Sequence, residues 1–352
     1  MAKIQLDMLE TYRHQGYLSR DRHQDLDLLI FNYTERTQYD RKWDEYTMIC
    51  RGLITDFDGN IVGRPFPKIF NLGEPDAPPV PSHESWDVYE KLDGSLLVAA
   101  NYSGEPVLST RGRFDSWQAR AGRQIIEERY STLFKKLGED KTALLELILP
   151  EDQKVVDYGG QRDVYLLAVI DNETGAELPE CTAASLGLPG VFSYEPIDDP
   201  ASLPEERENH EGFVLKGKRT GIRYKVKHPS YVEAHRIIFG LTEKVVWRTL
   251  RDGKTTADIL THPGVPDEVR NWAEKTEAHF QKRFASIEDQ ATRLWRAAPK
   301  ESRKDTALYI QDQDEDLQPI LFAFLSNKGY EQLIWKMLEP FGTGEKPDVD
   351  EG

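Results

Sequence analysis

A lysine, two carboxylates and a lysine pair are the residues of this sequence whose types and spacing could do chemistry. Lys91 opens the run Lys91-Leu92-Asp93-Gly94-Ser95. An aromatic and β-branched stretch, Trp86-Asp87-Val88-Tyr89-Glu90, precedes it, and the apolar run Leu96-Leu97-Val98-Ala99-Ala100 follows. Lys91 is therefore expected at a strand end, with Asp93-Gly94 turning the chain into the next strand. A lysine held there can be partly desolvated. Burial, or a second cation beside it, favours the neutral amine, which is the nucleophilic form. The competing reading is an ordinary hairpin with a solvated lysine, because Lys-x-Asp-Gly alone is a weak signal.

Glu211-Gly212-Phe213-Val214-Leu215-Lys216 lies 120 residues further on (211 − 91), and Tyr224-Lys225-Val226-Lys227 follows it. In a strand, a spacing of two puts Lys225 and Lys227 on one face. Like charges so placed are costly unless an anion lies between them. An edge strand protected by lysines is the alternative. Glu146 stands alone in Thr142-Ala143-Leu144-Leu145-Glu146-Leu147-Ile148-Leu149. That run is apolar on both faces, which favours a functional acid over a residue on a solvent-facing side.

The elements that must position these groups can be read from periodicity and turn chemistry. Short strands are expected over 50–110, with turns at Asp58-Gly59 and Ser103-Gly104. One long helix is expected after Arg113-Phe114, capped at Asp115 or Ser116 and stopping near Gly138. Strands follow at 143–149, 154–158 and 163–170, and residues 192–210 read as a polar loop. The block 212–227 reads as a hairpin turning at Arg219-Thr220-Gly221. Beyond Pro229 the period becomes helical, through 242–251, 267–297 and 316–338. The fold class is thus α+β. A domain over 1–230 precedes a helical domain over 231–340 and a mobile acidic tail over 341–352.

In order and spacing these blocks resemble the covalent nucleotidyltransferases: DNA ligases, RNA ligases and mRNA capping enzymes. The narrower resemblance is to ATP-dependent RNA ligases of the phage RNA ligase 1 type. It rests on Cys50-Arg51-Gly52-Leu53-Ile54 followed by Pro65-Phe66-Pro67-Lys68-Ile69-Phe70-Asn71-Leu72, then on Ser109-Thr110-Arg111-Gly112. Leu145-Glu146 with Gln153-Lys154-Val155-Val156, Glu211-Gly212-Phe213-Val214 and Lys225-Val226-Lys227 complete the series. The likeness covers residues 30–240 and continues more loosely into the tail. Four residues depart from the family's pattern. Arg111 and Gln153-Lys154 stand where the family often has lysine and Asn-Arg, and Phe31 stands where a tyrosine is expected beside the nucleotide.

The resemblance implies a ligase-type nucleotidyltransferase domain of antiparallel sheets and helices, followed by an all-helical C-terminal domain. It implies three phosphoryl transfers: Lys91 takes AMP from ATP, AMP passes to an RNA 5′-phosphate, and a 3′-hydroxyl displaces it. It also implies Lys225 and Lys227 at the α-phosphate, lowering the pKa of Lys91 by like-charge proximity. Arg51 and Lys68 would meet the triphosphate tail, and Phe31 would stack on the base. Glu146 would meet the ribose or a metal-bound water, Glu211 would hold Mg²⁺ (or Mn²⁺), and Arg111 would bind ribose or the RNA phosphate. The implied partner is RNA with 5′-phosphate and 3′-hydroxyl ends, a cleaved tRNA among them, and the implied role is RNA repair by a monomer.

Composition limits the alternatives. The formal charge of −16 argues against a protein that coats nucleic acid generally, though not against a local basic groove. Two cysteines, Cys50 and Cys181, make no disulfide framework and fit a reducing, cytoplasmic setting. No run of about 18 apolar residues indicates a membrane span. No Gly-x-x-x-x-Gly-Lys-Ser/Thr loop occurs, so ATP would bind by the lysine route. A DNA ligase or a capping-type nucleotidyltransferase would share the blocks but normally appends a β-barrel after the last lysines. A non-catalytic RNA-binding protein on the same fold is the remaining alternative. His210 and His228 read as loop residues.

Overall fold

The computed structural model describes residues 2–262 and 265–346. Asp348-Val349-Asp350-Glu351, and with it part of the expected mobile tail, lies outside the described residues. The chain forms two compact units, one up to Tyr231 and one from Val232 onward.

In the first unit, β1 (Leu18–Arg22), β2 (Leu28–Tyr33), β3 (Arg51–Asp56) and β4 (Ile61–Gly63) form an antiparallel four-stranded sheet. β5 (Phe70–Asn71) and β6 (Trp86–Glu90) belong to a five-stranded sheet. β7 (Ser95–Tyr102), β8 (Glu105–Thr110), β9 (Lys141–Ile148) and β10 (Asp163–Asp171) form a second four-stranded sheet, in the order β10-β9-β7-β8. β11 (Ser193–Ile197), β12 (Gly212–Gly217) and β13 (Arg223–Lys227) complete the five-stranded sheet, in the order β11-β6-β12-β13-β5. Its pairs are antiparallel except β13 with β5.

The helices of this unit are α1 (Leu6–His14), α2 (Glu35–Tyr39), α3 (Trp117–Arg129), α4 (Leu133–Leu137) and α5 (Ala183–Leu186), with α6 (Pro229–Gly240) beginning here. The second unit continues from α6 into α7 (Glu243–Arg251), α8 (Asp267–Ala297), α9 (Arg303–Gln311), α10 (Gln318–Leu325) and α11 (Glu331–Met337). Within it Trp247 Nε1 donates to the Trp335 carbonyl, so both tryptophans pack helix on helix.

Period two in β7 and β9 builds two cores at once. Leu97, Ala99, Ala143, Leu145 and Leu147 point to one side, against Ile125 and Ile126 of α3 and Leu133 and Leu137 of α4. Val98, Ala100 and Leu144 point to the other, against Leu28 and Ile30 of β2 and Ile54 of β3. Such strands are apolar on both faces because both faces are covered.

Several expected elements differ. The single helix after Phe114 breaks at Tyr130 into α3 and α4. Its cap is Ser116, whose hydroxyl accepts the Ala119 N–H. Residues 154–158 are not a strand, because the backbone N–H groups of Val155 and Val156 bind a side chain instead. The polar stretch 192–210 contains the edge strand β11. The expected helix over 316–338 is split into α10 and α11.

Candidate active site

Lys91 stands where the chain passes from one sheet to another. β6 ends at Glu90 in the five-stranded sheet, and β7 begins at Ser95 in the second four-stranded sheet. The expected strand end and passage into a second strand are present, but the hairpin of the competing reading is not formed: residues 91–94 are a crossover, not a tight turn between paired strands. The Lys91 N–H donates to the Gly212 carbonyl at 2.9 Å, which holds the lysine backbone to β12. At the other end, the Gly94 N–H donates to Glu146 Oε1 at 3.1 Å. Gly94 lies so close to β9 that a Cβ there would meet the Leu147 carbonyl oxygen at 2.2 Å. The crossover brings acids from both sheets to one amine.

Lys91 Nζ donates to Glu211 Oε2 at 2.7 Å, and Lys227 Nζ lies 3.0 Å from Glu211 Oε1. Glu211 is 2% exposed. Burial opposes its charge, yet the Lys91 and Lys227 ammoniums outweigh burial and hold its carboxyl below the ordinary value. Burial likewise opposes charge on Lys91, but Glu211, Glu146 and Asp93 outweigh it and hold the ammonium above its ordinary value. This corrects the expectation that the lysine pair lowers the pKa of Lys91. The cost falls on Lys225. Burial, then Arg51, Lys91, Lys68 and Lys227, push Lys225 well below an ordinary lysine. Burial lifts Glu146 to about 7, with Lys91 opposing and Glu211 reinforcing. Glu146 stands on the face of β9 that carries Leu144, at the next position along that face.

Arg51, at the start of β3, belongs to the same electrostatic cluster, and its Nε is buried without a hydrogen-bond partner. Lys68 sits among the rings of Tyr33, Trp43 and Phe70, with Nζ 5.7, 5.0 and 5.3 Å from their centroids. The backbone of Arg111 packs against Gly52, the residue after Arg51. Five basic side chains, Arg51, Lys68, Lys91, Lys225 and Lys227, are thereby gathered around two carboxylates. A dense anion with several oxygens suits such a cluster. Among the described residues no group of three or more His, Cys, Asp or Glu side chains forms a metal cage. Two carboxylates acting on one amine do fit a hard cation that takes the rest of its oxygens from phosphate and water.

Phe31 is a correction. It is 0% exposed, enclosed with Leu9, Leu29, Tyr33 and Leu53 in the core beneath the first sheet, so its ring offers no face to a base. Inward-facing positions of β2 are filled by packing, and residue type alone did not distinguish the two faces. Lys154 also turns inward: Nζ lies 2.9 Å from Asp152 Oδ1, and Asp152 further accepts the Ser95 hydroxyl at 2.6 Å. His210 and His228 lie outside the helices and strands, as expected of loop residues. They are buried and share a hydrogen bond at 2.8 Å, and burial holds His210 down to about 4.

Sequence reasoning read Asp93 only as a turn former. Its carboxylate accepts the N–H groups of Val155 and Val156, each at 2.9 Å, and the Tyr231 hydroxyl at 2.6 Å. The Asp93 N–H donates to the Tyr158 hydroxyl at 2.7 Å. Asp93 therefore ties the crossover to residues 155–158 and to the first turn of α6. Nothing in the local pattern marks Tyr158 or Tyr231; only the three-dimensional path does.

Residues 49–186 match the family model described as RNA ligase, so the likeness to phage-type RNA ligases read from the motif blocks holds across that segment. A protein of Thermovibrio ammonificans with a provisional RNA ligase name is 34% identical over 194 residues, covering 50% of each chain. The RNA ligase of Rhodothermus phage RM378 is 23% identical over 393 residues, covering 86% of each chain. An archaeal ATP-dependent RNA ligase structure aligns at 15% identity and TM-score 0.45, over 92% of this chain and 96% of that one. The chain spans half the length of the Thermovibrio relative, and 34% of a baculovirus relative. No helix among the described residues is long and apolar enough to cross a membrane.

Proposed function

We propose that this protein is an ATP-dependent RNA ligase that joins a 3′-hydroxyl to a 5′-phosphate through a lysyl-AMP on Lys91. The observation that carries the reading is the Lys91 amine hydrogen-bonded to buried Glu211, whose other oxygen holds Lys227, with Lys225 and Arg51 alongside. The segment matching the RNA ligase family contains Arg51, Lys68, Lys91, Arg111 and Glu146.

In the ligand-free site Lys91 is a charged ammonium paired with Glu211, and so is not yet a nucleophile. A triphosphate entering the cation cluster would engage Lys225, Lys227, Arg51 and Lys68. Mg²⁺ (or Mn²⁺) would neutralise phosphoryl oxygens when bound, with Glu211 and Glu146 the residues to hold it. If Glu211 held such an ion, it would no longer stabilise the Lys91 charge; the neighbouring cations would favour the neutral amine, its proton passing to solvent. The Lys91 lone pair forms the N–P bond at the α-phosphorus, the bond to the pyrophosphate oxygen breaks, and the nitrogen sheds a proton to solvent. A 5′-phosphate oxygen of RNA next attacks that phosphorus, the P–N bond breaks and Lys91 regains its proton. A 3′-hydroxyl oxygen finally attacks the activated 5′-phosphorus, and AMP departs. Protein groups throughout orient phosphates and balance charge, which is most of what phosphoryl transfer requires.

We assign the chain to RNA repair in the cytoplasm as a monomer, with tRNA cleaved in the anticodon loop as a substrate. The test is incubation with α-labelled ATP and Mg²⁺, mass spectrometry of the adduct, and then addition of RNA with 5′-phosphate and 3′-hydroxyl ends. Label on Lys91 and a sealed product support the reading. Lys91→Ala should lose the adduct entirely; wild-type protein that never labels, or a Lys91→Ala variant that labels fully, ends it. A ligation panel including nicked DNA separates an RNA ligase from a DNA ligase.

A further inference from the structure

We propose that a cavity of about 860 Å³ beside β1, β2 and the first turn of α3 seats the sugar–phosphate backbone of the RNA strand that is led to Lys91. The proposal rests on the RNA ligase reading and adds a binding surface whose arginines lie outside the motif blocks.

Five arginines line this cavity: Arg20, Arg22, Arg113, Arg120 and Arg123. Asp21, Asp25 and Asp115 oppose them, leaving a formal local charge of +2 (5 − 3) in a chain whose total is −16. A basic concavity in an acidic protein draws polyanions to one place and repels them elsewhere. The cations are all arginine, whose planar fork matches phosphate oxygens in pairs.

Their existing partners show which charges remain for a ligand. Arg120 is paired with Asp115, Arg20 with Glu10, and Arg22 lies 3.8 Å from Asp27 while covering the Phe57 ring. Asp21 accepts the Phe114 N–H at 3.3 Å. Arg123 donates only to the Pro106 carbonyl, and Arg113 has no ion pair among the described residues. Arg113 and Arg123 are thus cations without a carboxylate. They flank the N-terminal turn of α3, whose backbone dipole adds to the attraction for an anion.

The cavity also abuts the lysine site. Asn32 lines it, and Asn32 is the register partner of Arg51 across β2 and β3. The Asn32 Oδ1 and the Arg51 Nε are both buried without a hydrogen-bond partner. Two unsatisfied polar atoms on paired residues are uncommon in a folded chain and mark a place where a ligand supplies the missing groups. A ribose 2′-hydroxyl could donate to Asn32 Oδ1, an interaction DNA cannot make.

The test uses the full chain and a 5′-phosphorylated single-stranded RNA of 12 nucleotides with a 3′ fluorophore, titrated by anisotropy at several salt concentrations. Arg113→Glu with Arg123→Glu should weaken binding about tenfold or more. It should also flatten the log–log salt slope by about 1.4, at ~0.7 for each single-strand phosphate no longer neutralised. Labelling of Lys91 by ATP should stay within about twofold. Arg113→Glu alone, on an exposed side chain, should give half the slope change and guards against misfolding of the double variant. Unchanged affinity and slope in both variants overturn the proposal, as does a wild-type protein that does not bind this RNA. A matched DNA strand bound as tightly as the RNA overturns the RNA assignment. A wild-type protein that forms no lysyl-AMP removes the ligase reading, whatever the titration shows.

Discussion

The Tyr231 hydroxyl donates to Asp93 Oδ1 at 2.6 Å, so the first turn of α6 braces the crossover that carries Lys91. The two residues are 138 positions apart, and Asp93 is 6% exposed. Burial, then Glu211, raise the Asp93 carboxyl; the Tyr231 hydroxyl and the amides of Val156 and Val155 oppose the rise. A cut at Ser230 would remove this brace, whereas a cut after Gly240 keeps it.

Tyr231→Phe should therefore weaken the site while keeping the ring that lies 4.9 Å from Lys227 Nζ. A hydrogen bond to a charged, buried carboxylate is worth about 1.5–3 kcal/mol. Chemical denaturation should show a loss of that order. Adenylation should slow, because Lys91 is held less tightly. Equal stability of variant and wild type would show that the brace is immaterial.

Lys225 links ATP binding to proton uptake. In the free site burial and four neighbouring cations hold it well below an ordinary lysine. A phosphate beside it reverses that balance and draws a proton in. Calorimetry of ATP binding, in buffers of different ionisation enthalpy, should register proton uptake. Lys225→Met should abolish it. A wild-type heat that is independent of buffer would contradict the assignment.

Glu146 should make the ligand-free protein less stable as pH rises. Its folded pKa is about 7, against 4.5 for the ordinary group. The raised value means that stability is fully present below about pH 4.5 and is lost as pH climbs through about 7. Glu146→Gln should flatten that part of the profile. Between pH 5 and 8 the variant should gain on wild type by at most about 3 kcal/mol in urea titrations. Parallel profiles would mean that Glu146 is not raised.

Gly94→Ala should be far more damaging than Gly104→Ala. At Gly94 the new Cβ would fall 2.2 Å from the Leu147 carbonyl oxygen, while at Gly104 nothing lies within 4 Å. The first should cost a few kcal/mol and disturb β7 against β9. The second has only its φ of +82° to resist, on the order of 1 kcal/mol. Thermal melts of the two variants decide the point; similar melts would mean that the crossover can shift.

The residues gathered at the site were legible because their types clash with their surroundings. Glu146 is an acid in an apolar run, and Lys225 and Lys227 are like charges at strand spacing. The α+β division and the helical period after Pro229 were legible for the same reason: periodicity records which faces are covered. What could not be read was the partner of each strand. An alternating pattern says that β6 and β7 are buried; it does not say that they lie in different sheets. Asp-Gly signals a turn equally well in a hairpin and in a crossover, so the bonds made by Asp93 stayed hidden. Phe31 failed likewise, since a ring on a strand reads the same toward a ligand as toward a core.

The crossover at Lys91 also sets an order of events during synthesis. A nascent chain that has emerged as far as residue 200 already contains Lys91 and Glu146, yet lacks Glu211, Lys225 and Lys227. It also lacks β12, against which β6 pairs and whose Gly212 carbonyl holds the Lys91 N–H, and β13 beyond it. The amine has no seat until the last strands of its sheet leave the ribosome. On the proposed mechanism, half-made protein lacks groups that would take up nucleotide, and they arrive together with residues 211–231, late in the translation of the first unit.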